Sequence, residues 1–181
     1  MADESKGNLA AGIVAGAIGG LVASWMMNLF IADAGPKIRQ VVQGMDGKPS
    51  GHGASRETDE EPKEDATMKA ADAVVSTVTG GRHLSFEERQ KGGPIVHYAF
   101  GALMGGVYGA LAEYSPAARS GFGTAFAGLL FAGADMIAVP ALKLSPETGD
   151  QPTSSLATPF GAHMVYGVTT ECVRRLVRAA I

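Results

Sequence analysis

The chain has a single cysteine, Cys172, in 181 residues. A lone cysteine excludes an intramolecular disulfide and any metal cluster built from several thiolates. Charge is also scarce: 18% of residues are charged and the formal net charge is −3. No block of lysine and arginine occurs, so the basic footprint of a nucleic-acid-binding protein is missing. No catalytic pattern surrounds Cys172, which reads as a small packing residue, and Ser24 has no nucleophile-elbow setting. These absences favour a protein that is not an enzyme. What the chain does have is 46% hydrophobic residues and 25 glycines, unevenly spread.

The apolar residues gather in four windows. Leu9 to Ala32 reads LAAGIVAGAIGGLVASWMMNLFIA, without a charge; Pro94 to Ala112 reads PIVHYAFGALMGGVYGALA. Gly121 to Leu142 carries Asp135 as its only charge, and Leu156 to Val173 carries His163 and Glu171. A membrane-crossing helix needs roughly 20 predominantly apolar residues. The first and third windows meet this easily, the second just does, and the fourth is the weakest. A soluble helical bundle is the alternative, but an uncharged run as long as the first needs lipid or a very large core. The acidic start MADESKGN and the length of that run favour a retained helix over a signal peptide. The expectation is an all-α integral membrane bundle, one domain over 1–181, with transmembrane helices at about 9–33, 94–113, 121–142 and 156–178.

A long polar loop, 34–93, separates the first two spans. Pro36, Ile38, Val41, Val42 and Met45 have the spacing of a short interfacial amphipathic helix. Residues 46–65 are too rich in Gly, Pro and charge to pack and are expected to be disordered. ATMKAADAVVSTVTGG predicts a helix stopped at Gly80-Gly81, and Ser85 with Glu88 forms a capping box opening a short helix to Lys91. The positive-inside rule gives nearly equal votes for the two orientations.

Small residues repeat every four positions: Gly12, Gly16 and Gly20 in the first span, Gly101, Gly105 and Gly109 in the second. Gly121, Ala125, Gly128, Ala132 and Asp135 form a stripe in the third. Such faces allow close helix packing, either within a tight bundle or between copies in a homo-oligomer. His97-x-x-x-Gly101 and His163-x-x-x-Gly167 would fit a parallel repeat of two helical hairpins, although two identities are also what chance supplies.

The rise of a helix gives approximate depths. Asn28 falls ~6 Å and His97 ~5 Å from one membrane face, and Asp135 and His163 fall ~10 Å from the same face. Ionisable groups at such depth turn inward and find partners. Asn28, His97, Asp135 and His163 are therefore expected as one cluster, with Asp135–His163 its central pair. That pair could be a clasp fixing helix packing, a proton or ion pathway, or, less readily, a zinc site or an axial haem pair at His97 and His163. No resident cofactor is required. A second polar group, Glu113, Glu171, Arg174 and Arg175 with Arg119, lies towards the other face, where interfacial ion pairs and anionic lipid are the expected partners.

Three stretches, HYAFGALMGGVYG (97–109), ADMIAVPALKLSP (134–146) and HMVYGVTTE (163–171), taken together resemble the YagU-like family of bacterial inner-membrane proteins of unknown function. The matched positions are His97, Tyr108, Asp135, Pro140, His163, Tyr166 and Glu171. Where the family pattern has an Asp-Glu pair this chain has Asp135-Met136, which weakens any two-carboxylate mechanism. The resemblance implies a multi-pass inner-membrane protein and supplies no activity. The expected role is organisation of a membrane bundle by its buried Asp/His cluster, in contact with the bilayer, with an accessory subunit, a homo-oligomer or part of a larger membrane complex as the forms such a bundle can take. The alternative is a small proton or ion transporter using Asp135 and the membrane histidines, and a b-type haem redox protein is third.

Overall fold

Asn8 starts the first helix, its Oδ1 accepting the N–H of Ala11 at 3.1 Å. The computed structural model describes residues 7–45, 64–144 and 156–181. Helix α1, Leu9–Met45, runs for 37 residues with Pro36 inside it. The expected end near residue 33, followed by a separate interfacial helix, is thus corrected: the two are one helix. A proline costs the helix one N–H and crowds the preceding turn, but no turn-forming residue follows to end it. The Lys37–Asp33 ion pair at 3.2 Å spans the proline, and buried Gly35 sits close to Thr158.

The segment expected to be disordered, 46–65, lies outside the described residues except Glu64 and Asp65. Asp65 caps α2, Ala66–Thr79, accepting the N–H of Met68 at 2.8 Å. Gly80 ends that helix at φ 74°, as its sequence predicts. At the corner after α2, Asp72 receives the Leu84 N–H at 2.6 Å and lies 2.9 Å from His83 Nδ1. The His83 hydrogen bond and the Leu84 N–H hold the Asp72 carboxyl below its usual range.

Helix α3, Phe86–Tyr114, begins at the Ser85/Glu88 capping box. The expected short helix to Lys91 and the span from Pro94 are one element, with Pro94 internal. Gly92 and Gly93 do not break the helix. Instead α2 lies against them: a Cβ on Gly92 would meet Ala71 at 2.9 Å, and one on Gly93 would meet Met68 at 3.1 Å.

A tight corner, Pro116–Gly123, turns the chain into α4, Thr124–Gly133. Gly121, Phe122 and Gly123 have φ of 60°, 57° and 87°, so the helix starts at Thr124 and not at 121. A π-helical turn, Ala134–Ala138, follows, and then a short turn α5, Val139–Ala141. The Val139 N–H reaches back to the Ala134 carbonyl, a widening that precedes Pro140, which has no N–H to give. Helix α6, Ala157–Ala180, closes the bundle. All the described regular structure is helical, with no strand among the described residues.

Three helical stretches are long and apolar enough to cross a membrane, Leu9–Val42, Phe86–Tyr114 and Pro116–Ala141. Four were expected, and α6 is outside that set. Its composition is diluted by His163, Thr170, Glu171 and Arg174, which are buried, while Phe160, Val168, Cys172 and Leu176 face outwards.

Helix α1 is the hub, packing against both α3 and α6. The α1–α3 seam is built from glycine. A Cβ added to Gly16 would run into the Gly105 carbonyl oxygen, one on Gly20 into that of Gly101, and one on Gly109 into that of Gly12. Both stripes are thus used up inside one chain, and they are not available as an oligomer interface. At the α4–α6 contact, Gly123 and Gly167 meet in the same way. The stripe proposed for the third span is only partly a packing face: Gly121 belongs to the corner, and Gly128 has open space up to Met164 at 4.0 Å.

Candidate functional site

Two polar groups occupy the bundle, and the larger is at the α3/α6 end. Glu171 is fully buried. Its Oε2 accepts the Tyr108 hydroxyl at 2.8 Å and Arg174 Nε at 2.7 Å, and its Oε1 accepts Arg174 Nη2 at 3.0 Å and Arg175 Nε at 2.6 Å. Glu113 of α3 takes a two-pronged bond from Arg178, 2.7 and 3.1 Å, and the Asn8 N–H at 3.1 Å. Arg174 lies between the carboxylates, its Nη1 3.8 Å from Glu113 Oε1. Arg175 also stacks over Phe122 at 4.5 Å. The group expected near a membrane face is therefore a connected, largely buried network. Arg119 is exposed and takes no part in it. Arg178 and Asn8 were not anticipated. A signal for Arg178 existed: Glu171, Arg174, Arg175 and Arg178 follow i, i+3, i+4, i+7 on one helical face.

The second group lines a cavity of about 470 Å³ between α1, α2, α3, the π-helical turn and α6. Its walls are mostly apolar, including Met27, Phe100, Leu130 and Val139. Into this wall the fold brings His97, Asp135 and His163. Asn28 is not among the lining residues; it gives a long 3.4 Å bond to the Tyr98 hydroxyl. Thus three of the four residues expected together share one site.

Asp135 and His163 meet at ion-pair distance but without a hydrogen bond between them. His163 Nδ1 lies 3.0 Å from the Pro159 carbonyl oxygen of its own helix and 3.7 Å from Asp135 Oδ2. The near carbonyl takes the hydrogen bond, and 3.7 Å is outside hydrogen-bonding distance. His163 is instead wedged by Phe131, edge-on at 5.4 Å. The Asp135 side chain remains about one-third exposed (36%). The two imidazoles and Asp135 do not form a zinc site: among the described residues, no group of three or more His, Cys, Asp or Glu is placed to hold a metal ion.

Among the described residues, three buried polar atoms of lining side chains have no hydrogen-bond partner: Ser24 Oγ, His97 Nε2 and Thr158 Oγ1. Ser24 is 1% exposed and rests against Gly101, where any Cβ would strike its Oγ. Below it, Tyr166 donates to the Gly101 carbonyl at 2.6 Å. The remaining matched positions are structural in this setting: Tyr108 serves Glu171, Tyr166 ties α6 to α3, and Pro140 sits in the last turn before the chain leaves α5.

No curated protein and no solved structure matches the chain. Residues 66–172 match a family described as a protein of unknown function, DUF1440. That stretch holds the capped α2, the glycine face of α3, the cavity's Asp135 and both histidines, and buried Glu171. The chain belongs to the DUF1440 family.

Proposed function

We propose that the chain is a non-enzymatic, multi-pass protein of the bacterial inner membrane, of YagU-like type, in which α6 is a fourth span. One observation carries this reading: the bundle is inside out. Its most buried residues are small or polar, such as Ala15, Ala23, Ala127, Ser24, Thr170 and Glu171. Its large apolar side chains face outwards, among them Trp25, Leu103, Leu129, Ile137 and Leu176. In water such a surface would aggregate, whereas in lipid it is the required exterior. Helix α6 shares the pattern, and at 24 residues it is ~36 Å long, enough for the hydrocarbon core. The ion-pair network, rather than the Asp135–His163 pair, then organises the bundle, with the bilayer as its partner.

The native cysteine tests the span. A nitroxide placed on exposed Cys172 of the protein in liposomes is expected to be relaxed by lipid-soluble oxygen far more than by an aqueous nickel chelate. Equal relaxation by both would put α6 outside the membrane and end the four-span reading.

A second reading, a small proton or ion transporter, is favoured by the placement of Asp135, His97 and His163 around one cavity. Asp135→Asn in proteoliposomes is expected to abolish dye-reported flux if this holds. Flux equal to that of the unaltered protein removes conduction through Asp135.

A further inference from the structure

We infer that the cavity is a binding site for a compact amphipathic cation, an apolar body bearing a protonated amine. This goes beyond the membrane and transport readings and depends on neither direction nor rate of ion movement. At about 470 Å³ the cavity lies in the range of small-molecule sites. Its walls come from five separate parts of the chain, so it is a property of the folded bundle.

The polar groups define the ligand's charge. Among the described residues, Asp135 is the only carboxylate in the wall, and no lysine or arginine lines it. The nearest donor to Asp135, His163 Nδ1, is directed to the Pro159 carbonyl. Among the described residues, the lining side chains Ser24, His97 and Thr158 each have a buried polar atom, Oγ, Nε2 and Oγ1, without a hydrogen-bond partner. All three can accept a hydrogen bond, an imidazole through its unprotonated nitrogen. A site whose one carboxylate is met only by a histidine at 3.7 Å, with no hydrogen bond to it, suits a donor-rich cation. An ammonium offers three donors and the missing charge. A lipid acyl chain would fit the walls but leave the Asp135 carboxylate without a counter-charge, a costly arrangement away from water. An anion would face Asp135 with no cationic side chain to offset it.

The π-helical turn contributes the position. It carries Asp135 between Ala134 and Ala138, which also line the cavity, and such turns recur where a helix must redirect one side chain.

The test uses the full chain in phosphatidylcholine nanodiscs, with empty nanodiscs as reference. The probes are phenylbutylammonium, phenylbutanol and phenylbutyrate, followed by saturation-transfer NMR and equilibrium dialysis. The ammonium is expected to bind saturably, at least about tenfold tighter than the alcohol, with the carboxylate weaker still. Asp135→Asn should bring the ammonium down to the affinity of the alcohol. Ala138→Phe, which fills the cavity and leaves Asp135 in place, should remove binding of both, and it carries the test if the Asn variant does not assemble. Equal affinity for ammonium and alcohol would mean an acyl-chain slot only and would overturn the proposal. So would ammonium binding that survives Ala138→Phe, or that does not exceed empty nanodiscs. Loss of ion flux in the transport assay leaves this result untouched, so the two readings fail separately.

Discussion

Gly105→Ala destabilises the bundle by about 1–3 kcal/mol, and Gly105→Leu prevents its assembly. The neighbouring Gly106→Ala is neutral or slightly stabilising. The contrast follows from what each new methyl would meet. At Gly105 it would collide with the Gly16 carbonyl oxygen and lie 2.8 Å from both N and Cα of Gly20. These are backbone atoms of a helix and cannot rotate away, so α1 and α3 must separate along their length. At Gly106 the nearest atoms are the Cγ2 and carbonyl of Ile13 at 3.6 Å, an ordinary contact. There the only change is the better helix propensity of alanine, at most about 1 kcal/mol. Titration of both variants from mild into denaturing detergent, with helicity read by circular dichroism, measures the difference. Equal midpoints for the adjacent substitutions would show that the α1–α3 seam is not packed as described.

Removal of the Glu171 carboxylate has the other large effect. Glu171→Ala is expected to cost about 3–5 kcal/mol, the usual penalty for stranding a buried charge. Arg174 would lose both of its hydrogen bonds to Glu171 and remain buried at 5% exposure. Arg175 is affected less, because its side chain is about half exposed and also rests on Phe122. The informative variant is the double replacement Glu171→Met with Arg174→Met. It removes both charges together and should cost much less than the sum of the single changes, with Tyr108 left as the unsatisfied group. A double-mutant cycle in the same detergent titration reads the coupling. Additive costs would mean that the two residues do not act as a pair.

The sequence carries the helices and the glycine seam because both depend on local repeats. The four-residue spacing of Gly12, Gly16 and Gly20 recurs in Gly101, Gly105 and Gly109, and the structure sets one row against the other. The Ser85/Glu88 box and the Gly80 stop lie where the residues place them. Helix limits at proline were misjudged. Pro36 and Pro94 looked like starts, yet both sit inside helices, because neighbouring elements hold the backbone across them: Thr158 at Gly35 and α2 at Gly93.

The site was harder to read for a related reason. Depth along a helix places Asp135 and His163 near one another, but it does not fix rotation. The π-helical turn shifts the angular position of everything after Ala134, and no spacing rule in the sequence announces it. Nor could spacing show that Pro159 would take the His163 hydrogen bond. The cavity itself, and the unpaired Ser24 and Thr158 in its wall, arise only when five segments meet. By contrast, Arg178 was within reach, since it extends the face that Glu171 and Arg174 already mark.

The pairing of Glu113 with Arg178 has a consequence for how the protein is made. The two residues are 65 positions apart, with the whole of α4 between them. During synthesis α3 therefore precedes the arginines that pair with its acidic end, with the Asn8 N–H as the earlier partner of Glu113, and α1 can meet α3 before α6 exists. The final segment brings Arg174 and Arg178 to Glu113 and presents Glu171 to Tyr108 in a single docking event. A chain cut before α6 is expected to leave Glu113 without its arginine partners and α1 packed on α3 alone.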